Sequence, residues 1–293
     1  MTPPLDTQQI RRAFGRAAAS YDTHAVLQHE VEQRLLERLE YVEREPARVL
    51  DLGCGTGRAA VAMRKRWKGA QVIALDLAMP MLQRIVEPNW ISGWLRPLLP
   101  VNADARALPL ADASIDVLFS NLCVQWIDDL PVLFDEFRRV LRPGGHLAFS
   151  TFGPDTLHEL RAAWAQVDRS PHVSAFVDIA RVGDALMQAG FRDPVLDEEH
   201  FTLTYADALS LMRELKAIGA TNADARRARG LSGRARLQRV AEAYESWRED
   251  GVLPATYEVI YSHAWAPDPG QPRRSRRGEI ASFPIERLRG SRR

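Results

Sequence analysis

The stretch Val49-Leu50-Asp51-Leu52-Gly53-Cys54-Gly55-Thr56-Gly57 decides the fold, because an apolar run ends here in three alternating glycines with helix-compatible residues after them. An apolar run bounded by glycines is what a fully buried strand looks like. Glycines let the backbone turn tightly and approach a ligand with no Cβ in the way. Together they mark a site for a nucleotide-type cofactor at a strand-to-helix turn. The spacing narrows the choice. Dinucleotide sites use G-x-G-x-x-G to admit a pyrophosphate, whereas this loop reads G-x-G-x-G with Arg58 where the third glycine would stand. Asp51, just ahead of the glycines, would repel a pyrophosphate and could bind an ammonium group.

Outward from this loop, strands are expected at 49–52, 72–75, 101–102, 115–120 and 146–151, with helices at 57–67, 78–85 and 130–141. A turn at Pro143-Gly144-Gly145 separates the last helix from the fifth strand. Strands alternating with helices mean an α/β fold, a doubly wound and mostly parallel sheet with helices on both faces. Its ligands bind outside the carboxyl ends of the strands. The first 45 residues look helical, with Ile10, Phe14 and Ala17 on one apolar face and Val26, Val31, Leu35, Leu36 and Leu39 on another. Asp76 follows the second strand, 19 residues beyond Gly57, where a carboxylate can accept both hydroxyls of a ribose diol.

The glycine loop and the strand-end residues resemble those of the class I S-adenosylmethionine-dependent methyltransferases, which have a Rossmann-like fold. The resemblance implies S-adenosylmethionine as co-substrate. Its loop is Gly53, Cys54, Gly55 and Gly57, with Asp51 holding the methionine ammonium directly or through water. Asp76, with Leu77 and Met81 after it, serves the ribose side. Asp104 would contact the adenine amino group, the Ala105 amide a ring nitrogen, and Asn121 and Leu122 the methionine portion. Asp116 and the Leu141-Arg142-Pro143-Gly144-Gly145 segment are read as structural.

Composition excludes several classes. The chain has 293 residues, 46% of them hydrophobic, and a net charge of +1. That suits one elaborated globular enzyme and gives no global electrostatic reason for nucleic-acid binding. Two cysteines supply neither a zinc set nor a disulfide framework. No His-Asp pair or metal-ligand cluster stands out, so no metal is expected. The N-terminus has no charged segment leading into an apolar one, and no run reaches the ~20 apolar residues of a membrane span. A cytoplasmic protein with no membrane association is expected. Oligomeric state is left open.

The acceptor is read from residues outside this core. Arg12-Ala13-Phe14-Gly15-Arg16-Ala17-Ala18-Ala19-Ser20-Tyr21-Asp22 with Gln28 resembles the N-terminal lid of the malonyl-acyl-carrier protein O-methyltransferases of biotin synthesis. So do Thr151-Phe152-Gly153-Pro154-Asp155-Thr156-Leu157, Ala189-Gly190-Phe191 and Leu215-Lys216-Ala217-Ile218-Gly219-Ala220-Thr221-Asn222. The resemblance implies a lid at 1–45, a cofactor core at 46–152, and a helical acceptor- and carrier-binding insertion after the fifth strand with the final strands at 153–265. A basic, loosely attached tail at 266–293 departs from the pattern. A malonyl carboxylate is ionised at neutral pH, so methyl transfer needs no general base, and orientation and desolvation suffice. Tyr21 would close the lid over the cofactor, Gln125 and Trp126 would face the acceptor, and Arg161 or His172 would hold its carboxylate. Arg213, Lys216, Arg226, Arg227, Arg229, Arg234, Arg236 and Arg239 form a basic stretch suited to docking an acidic acyl-carrier protein. Three alternatives share the core: a relative of the arginine-hydroxylating complex I assembly factor, a trans-aconitate type methyltransferase, and a non-catalytic scaffold.

Overall fold

Strands β1 (Arg48–Leu52), β2 (Gln71–Asp76), β3 (Leu99–Asn102), β4 (Ile115–Ser120), β5 (Leu141–Phe152), β6 (Arg192–Tyr205) and β7 (Leu253–Trp265) form one sheet in the order β3-β2-β1-β4-β5-β7-β6. The first five are parallel, and β7 runs antiparallel between β5 and β6. This computed structural model describes residues 4–42, 44–85, 98–227, 230, 233–268, 273–275 and 278–280. β1 is buried throughout except at Arg48, as an interior parallel strand covered on both faces must be. Its neighbours β2 and β4 connect in opposite directions, so the switch point of the topology lies at the end of β1, where the glycines begin.

Helices cover both faces. On one side α3 (Val26–Glu37) and α4 (Arg58–Arg66) bury Leu27, Val31, Leu35 and Met63 against the sheet. On the other, α6 (Leu130–Val140) and α8 (Ile179–Ala189) bury Phe134, Phe137, Val182 and Leu186. The helices after β5 therefore divide. α8 belongs to the core layer, whereas α7 (His158–Ala165), α9 (Ala208–Ala217) and α10 (Arg234–Tyr244) pack on the α3 side. The segment read as a lid contains α1 (Thr7–Ala17), α2 (Tyr21–His24) and α3, with Asp6 capping α1 through the Gln9 amide at 3.0 Å. Among the described residues no helix is long and apolar enough to cross a membrane.

Three local expectations change. Val26 is 65% exposed, because it opens α3 and the buried stripe starts one residue later at Leu27. The helix expected at 78–85 is the short α5 (Met79–Leu82), and residues 86–97 lie outside the described ones. Pro143-Gly144-Gly145 does not separate helix from strand. It forms an irregularity within β5, where the pairing with β4 jumps from Leu141 to His146, and Gly144 adopts a φ of 71° while its amide bonds Ala266 O at 2.9 Å. From the basic tail, Arg273–Ser275 pairs with Gly278–Ile280 as a small hairpin. The rest of 269–293 lies outside the described residues.

Candidate active site

A cleft opens at the carboxyl ends of β1 to β4. Its floor carries Gly53, Gly55, Asp76, Leu77, Asp104, Ala105, Asn121 and Leu122, and Met81 lines it from α5. Nine cofactor candidates distant in sequence thus share one wall, since each follows a parallel strand or its first helical turn. Asp51 and Cys54 line a recess continuous with the glycine loop. Gly57 stands apart. Its φ is 82° and a Cβ there would come within 2.9 Å of Ile85, so its glycine serves the turn into α4. At Gly53 a Cβ would meet Cys123 Sγ at 2.5 Å, which is why only glycine passes beneath that side chain.

The lid roofs the cleft with Ile10, Phe14 and Tyr21. Phe14 meets Trp126 edge-on, with ring centroids 5.2 Å apart. Three hydrogen bonds join lid to strand-end loops: Thr56 Oγ1 donates to Asp22 at 2.7 Å, Asn121 Nδ2 to Gln28 O at 3.0 Å, and Arg106 to Thr7 Oγ1 at 3.0 Å. Leu122 sits at a φ of 45°, a strained value for a non-glycine residue. The Ser150 hydroxyl holds it there, accepting the Leu122 amide at 2.9 Å and donating to Asn121 Oδ1 at 2.8 Å.

The electrostatics of the cleft are acidic. Asp76 accepts the Gly55 amide at 3.0 Å and the Ala78 amide at 2.7 Å, yet burial pushes its carboxyl up to about 6. Each oxygen keeps a further lone pair for a hydroxyl donor. Asp51 is held well above the usual carboxylate range by burial and by Glu32 and Asp76, against a bond from the Ala60 amide. Its Oδ2 is buried with no hydrogen-bond partner. Burial likewise raises the Tyr21 hydroxyl, reinforced by Glu32, Asp76 and Asp22. Asp104 behaves oppositely, its carboxyl lowered because Arg106 grips it at 2.7 and 3.0 Å. Buried acids that lack a counter-charge disfavour an anionic ligand and suit a cation. An S-adenosyl sulfonium with its ammonium meets that requirement.

A methyltransferase-domain family matches residues 50–149. A protein of Xylella fastidiosa (strain M23) named malonyl-acyl-carrier protein O-methyltransferase is 58% identical over 97% of this chain and 96% of its own. The chain belongs to the malonyl-acyl-carrier protein O-methyltransferase family. A relative with the same name from Methylovorus sp. (strain MP688) is 53% identical over 90% of each chain. Among solved structures, a methyltransferase of Bacillus halodurans superposes with a TM-score of 0.55 at 17% identity, covering 79% of this chain and 98% of that one. The Haemonchus contortus phosphoethanolamine N-methyltransferase 2, solved with S-adenosylhomocysteine, gives 0.52 at 19% identity over 80% of this chain and 53% of its own. These two likenesses show the fold.

Within this malonyl-acyl-carrier protein O-methyltransferase fold the acceptor candidates are dispersed. Tyr21 and Trp126 line the cleft. Gln125 turns back to donate to Leu122 O at 2.8 Å, and it is not among the lining residues. Arg161, also outside the cleft wall, donates to Pro154 O at 3.0 Å and Thr156 O at 2.8 Å. His172 bonds Asp168 at 2.9 Å and stacks on Trp164 at 3.5 Å, so a His-Asp pair exists that the four-residue spacing alone did not bring out. Asp155, His200 and Glu258 also converge, with ligand atoms within 4.8 Å of one another, but Glu258 already accepts the Asp155 amide at 2.7 Å. The basic stretch divides as well. Arg226 pairs with Asp224 at 2.8 Å and Arg227 with Asp6 at 2.9 Å, while Arg236 reaches Asp168 at 3.4 Å. Arg213, Lys216, Arg234 and Arg239 are exposed, and Arg229 lies outside the described residues. Sequence reasoning missed Thr7, Ile10, Arg106, Cys123 and Ile127 in the cleft wall and Glu32 in the recess. Glu32 stands one helical turn after Gln28, an i,i+4 spacing that could have pointed to it.

Proposed function

We propose that this chain transfers a methyl group from S-adenosylmethionine to the free carboxylate of a malonyl thioester on an acyl-carrier protein, giving the methyl ester that begins the pimeloyl chain of biotin. The observation that carries this reading is the extent of the similarity. The Xylella fastidiosa relative, whose name is that of such an enzyme, matches over 97% of the chain, a span that takes in the N-terminal helices and those around β6 as well as the glycine-loop core. That favours the carrier substrate over arginine hydroxylation, a small free acid, or a scaffold. The reading implies a cytoplasmic enzyme.

Bound in the cleft, S-adenosylmethionine supplies a sulfonium-activated methyl group. Asp76 would hold the ribose hydroxyls, Asp104 and the Ala105 amide the adenine edge, Asp51 the ammonium, and Asn121 with Leu122 the chain leading to sulfur. Tyr21, Phe14 and Trp126 would exclude water and orient the acceptor, whose carboxylate is already ionised and asks for no base. Of the two candidates for that carboxylate, Arg161 donates to the Pro154 and Thr156 carbonyls outside the cleft wall and His172 is engaged by Asp168, so neither is assigned to it. Docking of the carrier is assigned to the exposed cations Arg213 and Lys216 on α9 and Arg234 and Arg239 on α10.

Incubation with labelled S-adenosylmethionine and malonyl-acyl-carrier protein, malonyl-coenzyme A or trans-aconitate tests the reading. Label should enter a base-labile ester on the carrier protein. Transfer to trans-aconitate alone, or to none of the three, would overturn it.

A further inference from the structure

Beside the main cleft lies a smaller recess whose walls include Gln28, Glu32, Asp51, Gly55 and Arg58. Three acceptors from two separate elements meet there. Asp51 comes from β1, and Gln28 and Glu32 lie one turn apart on α3, so both project from the same side of that helix. Asp51 Oδ2 and Gln28 Oε1 are buried and have no hydrogen-bond partner. The Glu32 side chain is 14% exposed, with Arg58 Nε at 3.5 Å as its cation. A protein does not bury acceptors without partners unless something supplies the donors. An ammonium group has three N–H donors and a positive charge, matching three acceptors of which two are acids.

We propose that Gln28 and Glu32 of the lid join Asp51 in a three-acceptor ammonium site, so that the cofactor's α-ammonium fastens the lid helix to the glycine-loop strand. The inference rests on the S-adenosylmethionine reading and adds two residues to it. One consequence concerns product: S-adenosylhomocysteine keeps the same ammonium, so this contact holds the lid equally before and after methyl transfer. Another concerns protons. Burial raises Glu32 to about 7 against the pull of Arg58 on α4, with Asp22 adding to the rise. Asp51 on β1 faces it, and Tyr21 and His29 line the same recess. An arriving ammonium favours the ionised carboxylates, so binding near neutral pH releases protons, and affinity rises as pH climbs through about 7.

The test is calorimetry of S-adenosylmethionine and of 5′-methylthioadenosine, which lacks the amino-acid portion, in buffers of different ionisation enthalpy. At pH 7.5, where Asp76 is already ionised, wild type should release more protons with S-adenosylmethionine than with 5′-methylthioadenosine. Glu32→Gln should weaken S-adenosylmethionine by about 10- to 100-fold, reduce the proton release, and leave 5′-methylthioadenosine within about twofold, which also reports an intact fold. Gln28→Ala should weaken S-adenosylmethionine by about 2- to 10-fold without changing proton release. Equal weakening of both ligands by Glu32→Gln, or unchanged S-adenosylmethionine affinity, would overturn the inference while the cofactor reading stands. A wild type that binds neither ligand would overturn both.

Discussion

Asp76 shows how much a single residue in this cleft is asked to do. It fixes the glycine loop through the Gly55 amide and opens α5 through the Ala78 amide, and its remaining lone pairs are the natural acceptors of a ribose diol. Hydroxyl donors favour the ionised carboxylate, but burial sets its proton affinity at about 6. The sign follows: nucleoside affinity is nearly complete at pH 7 and falls as protons reoccupy the carboxylate, approaching about tenfold per pH unit below pH 6. 5′-Methylthioadenosine isolates this effect because it cannot reach the Glu32 recess. Its dissociation constant should rise below pH 6 in wild type, and a flat profile from pH 7 to 5 would refute the assignment. Asp76 was legible in the sequence because one strand and one spacing define it. Glu32 was not, since its partner Asp51 is 19 positions away on another element.

At the scale of elements, α1 is seated by its buried face of Ile10, Ala13 and Ala17 and also by a turn. Gly219 adopts a φ of 80°, and a Cβ there would lie 3.0 Å from the Phe14 ring and 3.1 Å from its Cα. Ser20 Oγ ties the same region to Ala217 O at 2.9 Å. Gly219→Ala should therefore lift α1 and carry Phe14 away from Trp126. We expect about 1–3 kcal/mol of lost stability together with weaker S-adenosylmethionine binding by calorimetry; an unchanged dissociation constant would mean that the lid is seated by other contacts. The parallel strands and their order of helices were readable because periodicity is local. The division of the later helices was not, because α8 and α10 have similar lengths and only packing against α6 or α7 separates them.

The strand pair β5–β7 makes a different prediction. His146 and His263 lie buried on adjacent strands, Nε2 to Nδ1 at 3.2 Å. Burial lowers them to about 3 and about 4, with His263 adding to the effect on His146 and Arg38 to that on His263. Both rings bind protons more readily in the unfolded chain, so their contribution is complete above pH 6.5 and is lost as pH falls toward those lowered values. The slope approaches about 1.4 kcal/mol per pH unit for each ring. The raised acids Glu32, Asp51 and Asp76 act in the opposite sense, because folding binds their protons. Urea unfolding of wild type and of a His146→Leu/His263→Leu variant from pH 7 to 4.5 separates the two by difference. The variant should lose less stability on acidification than wild type, and identical pH dependences would sink the assignment.

For the whole molecule the question is how a substrate carried on a second protein would reach a roofed cleft. Net charge gives no answer, at +1 over the chain, so any attraction has to come from local placement. Arg226 and Arg227 hold the 224–227 turn and the N-terminal segment through Asp224 and Asp6, and reversing them would damage the lid's anchorage along with any docking. Lys216, Arg234 and Arg239 are exposed, and α9, which carries Lys216, ends where Ala217 meets Ser20 of the lid. A carrier drawn to these cations would arrive beside the roof of the cleft. Charge reversal at Lys216, Arg234 and Arg239 should raise KM for malonyl-acyl-carrier protein by about 10-fold or more at low salt, with the difference shrinking as ionic strength rises. The same variant should bind S-adenosylmethionine as wild type does. Equal losses for carrier and S-adenosylmethionine would assign the effect to the fold, and an unchanged KM would move the docking face elsewhere on the molecule.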